Sequence, residues 1–281
     1  MAGYEALRPE ILANEIMVDR ERDTVFKNIC YKGPMIGYNK ISQMGDTVRI
    51  PGIGRPTVTP YTGANISYEQ KQASQQIITI DQAQYVAVQI LKVDEKQAQM
   101  DIIKKEITEA KRALAVAMDE WVAGFHTQAG STVTNATATS ANIISTLTQA
   151  ETALLDNDVP AGEMMHLVVS PAVYEKMKLA KIIFQQTNKE VFGKGFIGSY
   201  LNFNVHVSNS IKKTGDVNHC MALTPDAMAL IEQIPASEIK LVDPELNFGK
   251  AFKVLHLYGG KVIRPPELVV LNITTAAEAA I

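Results

Sequence analysis

Hydrophobic and polar residues alternate through Ile77–Leu91. Ile78, Ile80, Val86, Val88 and Ile90 fall on one side, and Thr79, Asp81, Ala83, Tyr85 and Gln89 on the other. This is the two-residue period of a half-buried strand. A run of about fifteen residues is long, since common strands have roughly five or six. A shorter alternation at Thr47–Ile50 is stopped by Pro51, Gly52 and Gly54, residues that a central strand does not accommodate. Between the two, Gly52–Gln76 is polar and rich in Gly, Pro, Ser, Thr and Gln, too poor in apolar residues to hold itself rigid. The pattern predicts the two sides of one long hairpin with a flexible tip. An isolated ribbon of two strands is marginally stable in water, so this one needs another surface to pack on, such as a second subunit.

A helical period then takes over. Asp94 and Gln97 form a capping pair, and Ile103, Ile107, Ala110, Leu114, Ala117, Trp121 and Phe125 line one stripe, with Asp101 and Lys105 as a supporting pair. A helix from Asp94 to Gln128 would be roughly 50 Å long. Glu106, Glu109, Asp119 and Glu120 interleave with Lys104, Lys105, Lys111 and Arg112, as on a solvated helix face. Ala129–Ile143 reads as a loop of small residues. Asn142 opens a second amphipathic helix with Ile143, Ile144, Leu147, Ala150 and Leu154 inward. His166–Val169 predicts a buried strand, followed by a Ser170 cap with Pro171 at the first position of a short helix ending near Leu179. Further strands are expected in "NFNVHVSNS" and "CMALTPDAMALI". The run "KAFKVLHLYGGKVIRPPELVVLN" predicts two strands about a Gly259–Gly260 turn. Near the start, Pro9 suits a first helical turn, with Ile11, Leu12 and Ile16 on one side of an amphipathic arm.

Composition narrows the function classes. The 281 residues are 46% hydrophobic, enough for a sizeable core, and 27 Lys and Arg against 30 Asp and Glu give a net charge of -3. That balance supplies no global attraction to nucleic acid or membrane. Apolar runs such as Ala113–Met118 are far shorter than the roughly 18 residues of a membrane span. Cys30 and Cys220 sit in no metal-like spacing, and no secretory signal is visible, which points to a reducing cytoplasm.

Candidate chemistry is sparse. "GKGFIG", Gly193–Gly198, matches a dinucleotide fingerprint by letter, but a strand follows it where a helix is required. It reads as a flexible glycine loop. His126, His166, His206, His219 and His256 are scattered with no metal spacing, and His219 and Cys220, adjacent in a strand, point to opposite faces. No catalytic, cofactor-binding or metal-ligating residue is assigned, and no cofactor is expected.

The order of these elements resembles the major capsid protein of tailed phages, whose fold is shared with encapsulins and herpesvirus shells. The residues that carry the resemblance are "RPEILANEI", "GDTVRIPG", "ITIDQAQYVAVQILKVDEKQAQMD" and "FGKAFKVLHLYGGKVIRPPELVVLN". It implies an α+β fold with an N-terminal arm (1–40), an extended loop with its strands (41–92), a peripheral domain with a long spine helix (93–140), an axial domain (141–238) and closing peripheral strands (239–281). It also implies a non-enzymatic subunit that assembles as pentamers and hexamers into an icosahedral shell, the virion capsid, in the bacterial host cytoplasm. Implied partners are a separate scaffolding protein and a portal, with encapsidated DNA touched non-specifically if at all, and no membrane. Arg55, Tyr61, Tyr68 and Lys71 in the extended loop, and Ile11 and Leu12 in the arm, become candidates for contact between subunits. The alternatives are an encapsulin-type nanocompartment and an enzyme using the Gly193–Gly198 loop.

Overall fold

The computed structural model describes residues 24–30, 47–52, 56–61, 68–69, 74–91, 102–180, 196–236, 238–242, 244 and 249–277. Its α+β architecture rests on two main sheets joined by one long helix. Three strands come from the amino-terminal half of the opening pattern: β1 (Thr47–Gly52), β2 (Ser74–Thr79) and β3 (Gln82–Leu91). The fifteen-residue alternation is therefore two strands and not one. β2 pairs antiparallel with β1, from Thr47 opposite Thr79 to Gly52 opposite Ser74, whereas β3 pairs with a strand far along the chain. Ile80 and Asp81 lie between them. The two faces are as expected. Ile78, Ile80 and Ile90 are buried, and Thr79, Asp81, Ala83, Tyr85 and Gln89 are exposed.

The spine helix, α2 (Ile102–Ala123), follows a four-residue helix α1 (Phe26–Ile29) in chain order and continues into a single tighter turn, Gly124–Gln128. Its expected start at Asp94 and Gln97 lies outside the described residues. Ala110 and Leu114 pack on Phe252 and Val254, while Met118, Val122, Ala123 and Phe125 enter the main core. One helix thus serves two hydrophobic clusters. Ala117 and Trp121, placed on the stripe by spacing, are only partly buried, and Met118 and Val122 take the deeper positions. The residues after α2 correct a second expectation. Ser131–Ala138 is a strand, β4, and not a loop, because its Thr and Val side chains alternate along an edge beside a partner far away in sequence.

Helix α3 (Ile143–Asp156) buries Ile143, Thr146, Leu147, Ala150 and Leu154, and leaves Ile144 exposed. Asn142 is no conventional cap. Its Oδ1 accepts the Thr139 N–H at 2.9 Å instead. Strand β5 (Met165–Val169) and helix α4 (Pro171–Leu179) form as predicted, with the Ser170 hydroxyl accepting the Val173 N–H at 3.4 Å. β6 (Phe196–Tyr200) takes up the last part of the "GKGFIG" run, which is strand and not loop from Phe196 onward. β7 (Phe203–Val207), β8 (Lys213–Thr214), β9 (Val217–Leu223), β10 (Met228–Ile234) and β11 (Ile239–Val242) follow.

The carboxy-terminal run corrects a third expectation. β12 (Gly249–Val262) passes straight through Gly259–Gly260, and the break falls at Pro265–Glu267, before β13 (Leu268–Thr275). The glycines serve close packing. A Cβ on Gly259 would meet the Thr79 carbonyl oxygen, and one on Gly260 would stand 2.8 Å from the Ala229 carbonyl oxygen. The first sheet places β12 centrally, with β3 along one edge and β10 and β11 along the other. The second runs β4-β13-β9-β5-β7-β6, with β8 beside β9. The segment 239–281 is accordingly divided: β11 and β12 belong to the first sheet and β13 to the second.

Candidate self-assembly surface

The outward face of the β12 sheet carries the largest apolar side chains left in solvent near the hairpin. Cross-strand register sets this face. Tyr85 lies opposite Leu255, and Ala87 opposite Lys253, which in turn lies opposite Lys240. The residues between them, Val86, Val88, Phe252 and Val254, point to α2. Tyr85 is 75% exposed and Leu255 43%. With Ile234, Val254 and Glu238 these residues line an open groove of about 430 Å³.

Beyond this face the chain extends from the β1–β2 hairpin. Val58 and Tyr68 are 91% exposed and Tyr61 76%. The two limbs are held side by side, because the Thr57 N–H and hydroxyl donate to the Glu69 carboxylate at 3.1 and 3.4 Å. Large apolar and aromatic side chains standing in water on a two-limbed projection are what an interface between chains requires. Tyr61 and Tyr68, candidates for contact between subunits, are both exposed. Arg55, Lys71, Ile11 and Leu12 lie outside the described residues.

The root of the projection is anchored. Val48, Ile78 and Ile80 pack with Ala229 and Ile231, beside Leu257 and Ile263. Gln76 Nε2 donates to the Ile263 carbonyl at 3.2 Å, and Lys261 Nζ to that of Ile77 at 3.3 Å. The hairpin base belongs to the subunit, and among the described residues of the projection Val58, Tyr61 and Tyr68 belong to no core cluster.

Several polar groups that sequence spacing scattered are brought together. His166 Nδ1 and His206 Nε2 lie 3.0 Å apart inside the second sheet. Burial pushes His166 down to about 4. Burial, then the neighbouring His166, pushes His206 to about 3. Both are neutral at pH 7. His126 and His219 stack with centroids 4.3 Å apart, and His219 is held between Asn272 Oδ1 at 2.7 Å and Thr214 Oγ1 at 2.9 Å. Cys220 is fully buried, and burial pushes its thiol up to about 12, leaving no thiolate for nucleophilic chemistry. Among the described residues no group of three His, Cys, Asp or Glu could hold a metal ion, and no helix is long and apolar enough to cross a membrane.

Asp119 corrects a fourth expectation. It is buried rather than solvated, and its Oδ1 accepts the Phe26 N–H at 2.7 Å. Burial raises its pKa. The N–H groups of Val25, Phe26 and Lys27 and the Ser210 hydroxyl offset this only in part. Its partner lies 93 residues earlier in the chain, which no local pattern reveals.

No protein-family model matches the sequence, and no curated protein matches it. Solved structures do. One from Mycobacterium phage Che8 superposes with a TM-score of 0.78 at 23% identity, covering 96% of this chain and 98% of the other. The capsid of Cyanophage P-SCSP1u gives 0.75 at 16% identity, over 99% and 96% of the two chains. The fold is that of phage capsid subunits. A virus-like particle from Pyrococcus furiosus is less similar, with a TM-score of 0.52 at 16% identity over 81% of this chain and 86% of its own. Among the described residues, the projection and the Tyr85–Leu255 face both leave large apolar side chains in solvent. The "GKGFIG" run ends in a hairpin strand paired with β7, and no helix begins after it.

Proposed function

We propose that the chain is the major capsid protein of a tailed phage, assembling with copies of itself into the closed icosahedral shell around the genome. The observation that carries this reading is the likeness in fold, over nearly the whole chain, to phage capsid subunits. The exposed projection supports it. Val58, Tyr61 and Tyr68 gain nothing from exposure in a lone subunit and gain burial against a neighbour. In this reading the projection is the extended loop, with Arg55 and Lys71 on it, and it lies across the next subunit. Ile11 and Leu12 contribute from the arm. The peripheral domain (93–140 and 239–281) holds α2 and β12, and the axial domain (141–238) holds β5, β7 and β9. The chain carries out no reaction of its own. A separate scaffolding protein and a portal act with it, DNA is contacted without sequence preference, and assembly takes place in the host cytoplasm.

The test replaces Ile53–Ala73 with a short Gly-Ser turn, leaving β1 and β2 whole, in a chain co-expressed with its scaffold. The unaltered chain is expected to sediment as closed particles hundreds of ångströms across, because repeated contacts between copies that close about symmetry axes generate shells. The variant is expected to melt at nearly the same temperature and to build no stable shell, since stable interfaces bury more than about 1,000 Å². An unaltered chain that stays monomer to tetramer under every condition would defeat the proposal. Shells that enclose a cargo enzyme in place of DNA would select the nanocompartment reading.

A further inference from the structure

Residues Thr24–Cys30 form a short segment packed in the main core and tied to α2 and β10. Val25, Phe26, Ile29 and Cys30 are buried in the main core. α1 has four residues, far below the roughly 12 that a helix needs to persist by itself. Two carboxylates distant in sequence hold it. Asp119, on α2, accepts the Phe26 N–H at 2.7 Å beside the buried Ser210, which follows β7. Glu232, on β10, meets Lys27 Nζ at 2.7 Å through Oε1 and at 3.1 Å through Oε2. His256 Nε2 stands 3.7 Å from the same carboxylate, beyond hydrogen-bond length. The segment is therefore tied to the spine helix and to an edge strand of the β12 sheet.

The pinning is costly in one place. Asp119 Oδ2 has no hydrogen-bond partner among the described residues, although it is fully buried. A buried, half-satisfied carboxylate is a poor source of stability, since an apolar residue of similar size would do as well. Such groups are retained in several systems because they fix one arrangement among many.

We propose that Thr24–Cys30 is a strap that can open separately from the rest of the subunit, and that its closure on Asp119 and Glu232 sets the relation between the two sheets that a shell requires. The inference rests on the shell reading above. Asp119, Glu232 and Lys27 act on assembly by positioning, without touching a neighbouring copy.

Hydrogen exchange on the full-length free subunit, with sedimentation of the same preparations co-expressed with scaffold, tests it. In Lys27→Met and in Asp119→Asn, amides of 24–30 should exchange about 10-fold or more faster, the loss expected for one charge-assisted hydrogen bond. Peptides from β5 and β9 should be unchanged, and shells should be lost. Lys27→Arg should keep both the slow exchange and the shells. If the strap opens and shells form as before, it has no part in assembly. If 24–30 stays protected in both variants, the carboxylates do not hold it. If β5 and β9 lose protection as well, the segment is an inseparable part of the core. Each of these results overturns the strap. If the unaltered chain forms no shells, the shell reading fails, while the exchange data still decide whether the strap opens by itself.

Discussion

Gly259 runs directly against Thr79: a Cβ at Gly259 would collide with the Thr79 carbonyl oxygen and stand 2.6 Å from the Ile80 Cα. Both obstacles are backbone and cannot swing away. Gly259→Ala is therefore expected to push the β1–β2 hairpin off β12, at a cost of about 2 kcal/mol or more. Denaturant unfolding checks the cost, and hydrogen exchange across Ser74–Thr79 checks the place. Gly162→Ala, with nothing within 4 Å of the added carbon, should leave both nearly unaltered.

The His166–His206 pair makes the subunit sensitive to acid. Both folded-state pKa values, about 4 and about 3, lie below the ordinary 6.5. Between about 6.5 and 4 the unfolded chain therefore binds more protons than the folded one, and stability rises with pH. It is complete above about 6.5 and falls away as the solution is acidified. The loss is on the order of 3 kcal/mol for each histidine. Asp119, whose pKa is raised by burial, contributes in the opposite sense. Urea midpoints measured from pH 7 to pH 4 should fall, and His206→Leu should flatten the curve. An unchanged slope in that variant would remove the pair as the cause.

Trp121 stands edge-on to Phe125, with centroids 4.8 Å apart, and to Tyr258 at 5.3 Å. Trp121→Ala removes both ring contacts at the point where α2 crosses β12. An aromatic truncation of this kind costs about 3 kcal/mol, a large share of the stability of a domain. The melting temperature should drop by several degrees, and a variant that melts unchanged would show that these contacts carry little.

Cys220 should not react in the folded subunit. Cys30 and Cys220 are both buried, and the Cys220 thiol is held near 12. Iodoacetamide at pH 8 should leave Cys220 unmodified until urea unfolds the chain, as mass spectrometry would record. Native labelling at Cys220 would mean that the second sheet opens more readily than its packing implies.

Local chemistry made some elements legible and hid others. Ser170 and Pro171 announce α4 because cap and first turn are written within two residues. The faces of β2 and β3 are legible because burial follows the two-residue period. β4 was hidden by its composition, since "STVTNATA" contains little to bury and its partner β13 lies more than a hundred residues on. Gly259–Gly260 obeys the local signature of a turn, and only the approach of β2 explains why the strand continues. The buried polar contacts were the least visible. Asp119 with Phe26 and His166 with His206 join residues 93 and 40 positions apart, and no periodicity encodes such meetings.

The place of β13 bears on how the protein is made. Leu268–Thr275 lies between β4, to which it runs parallel, and β9, to which it runs antiparallel. Until that segment leaves the ribosome, β4 has no neighbour in the sheet, and the Leu268, Val269 and Leu271 side chains are missing from the core. The nascent chain therefore carries an open seam between β4 and β9, and that sheet is sealed only once translation has passed Thr275.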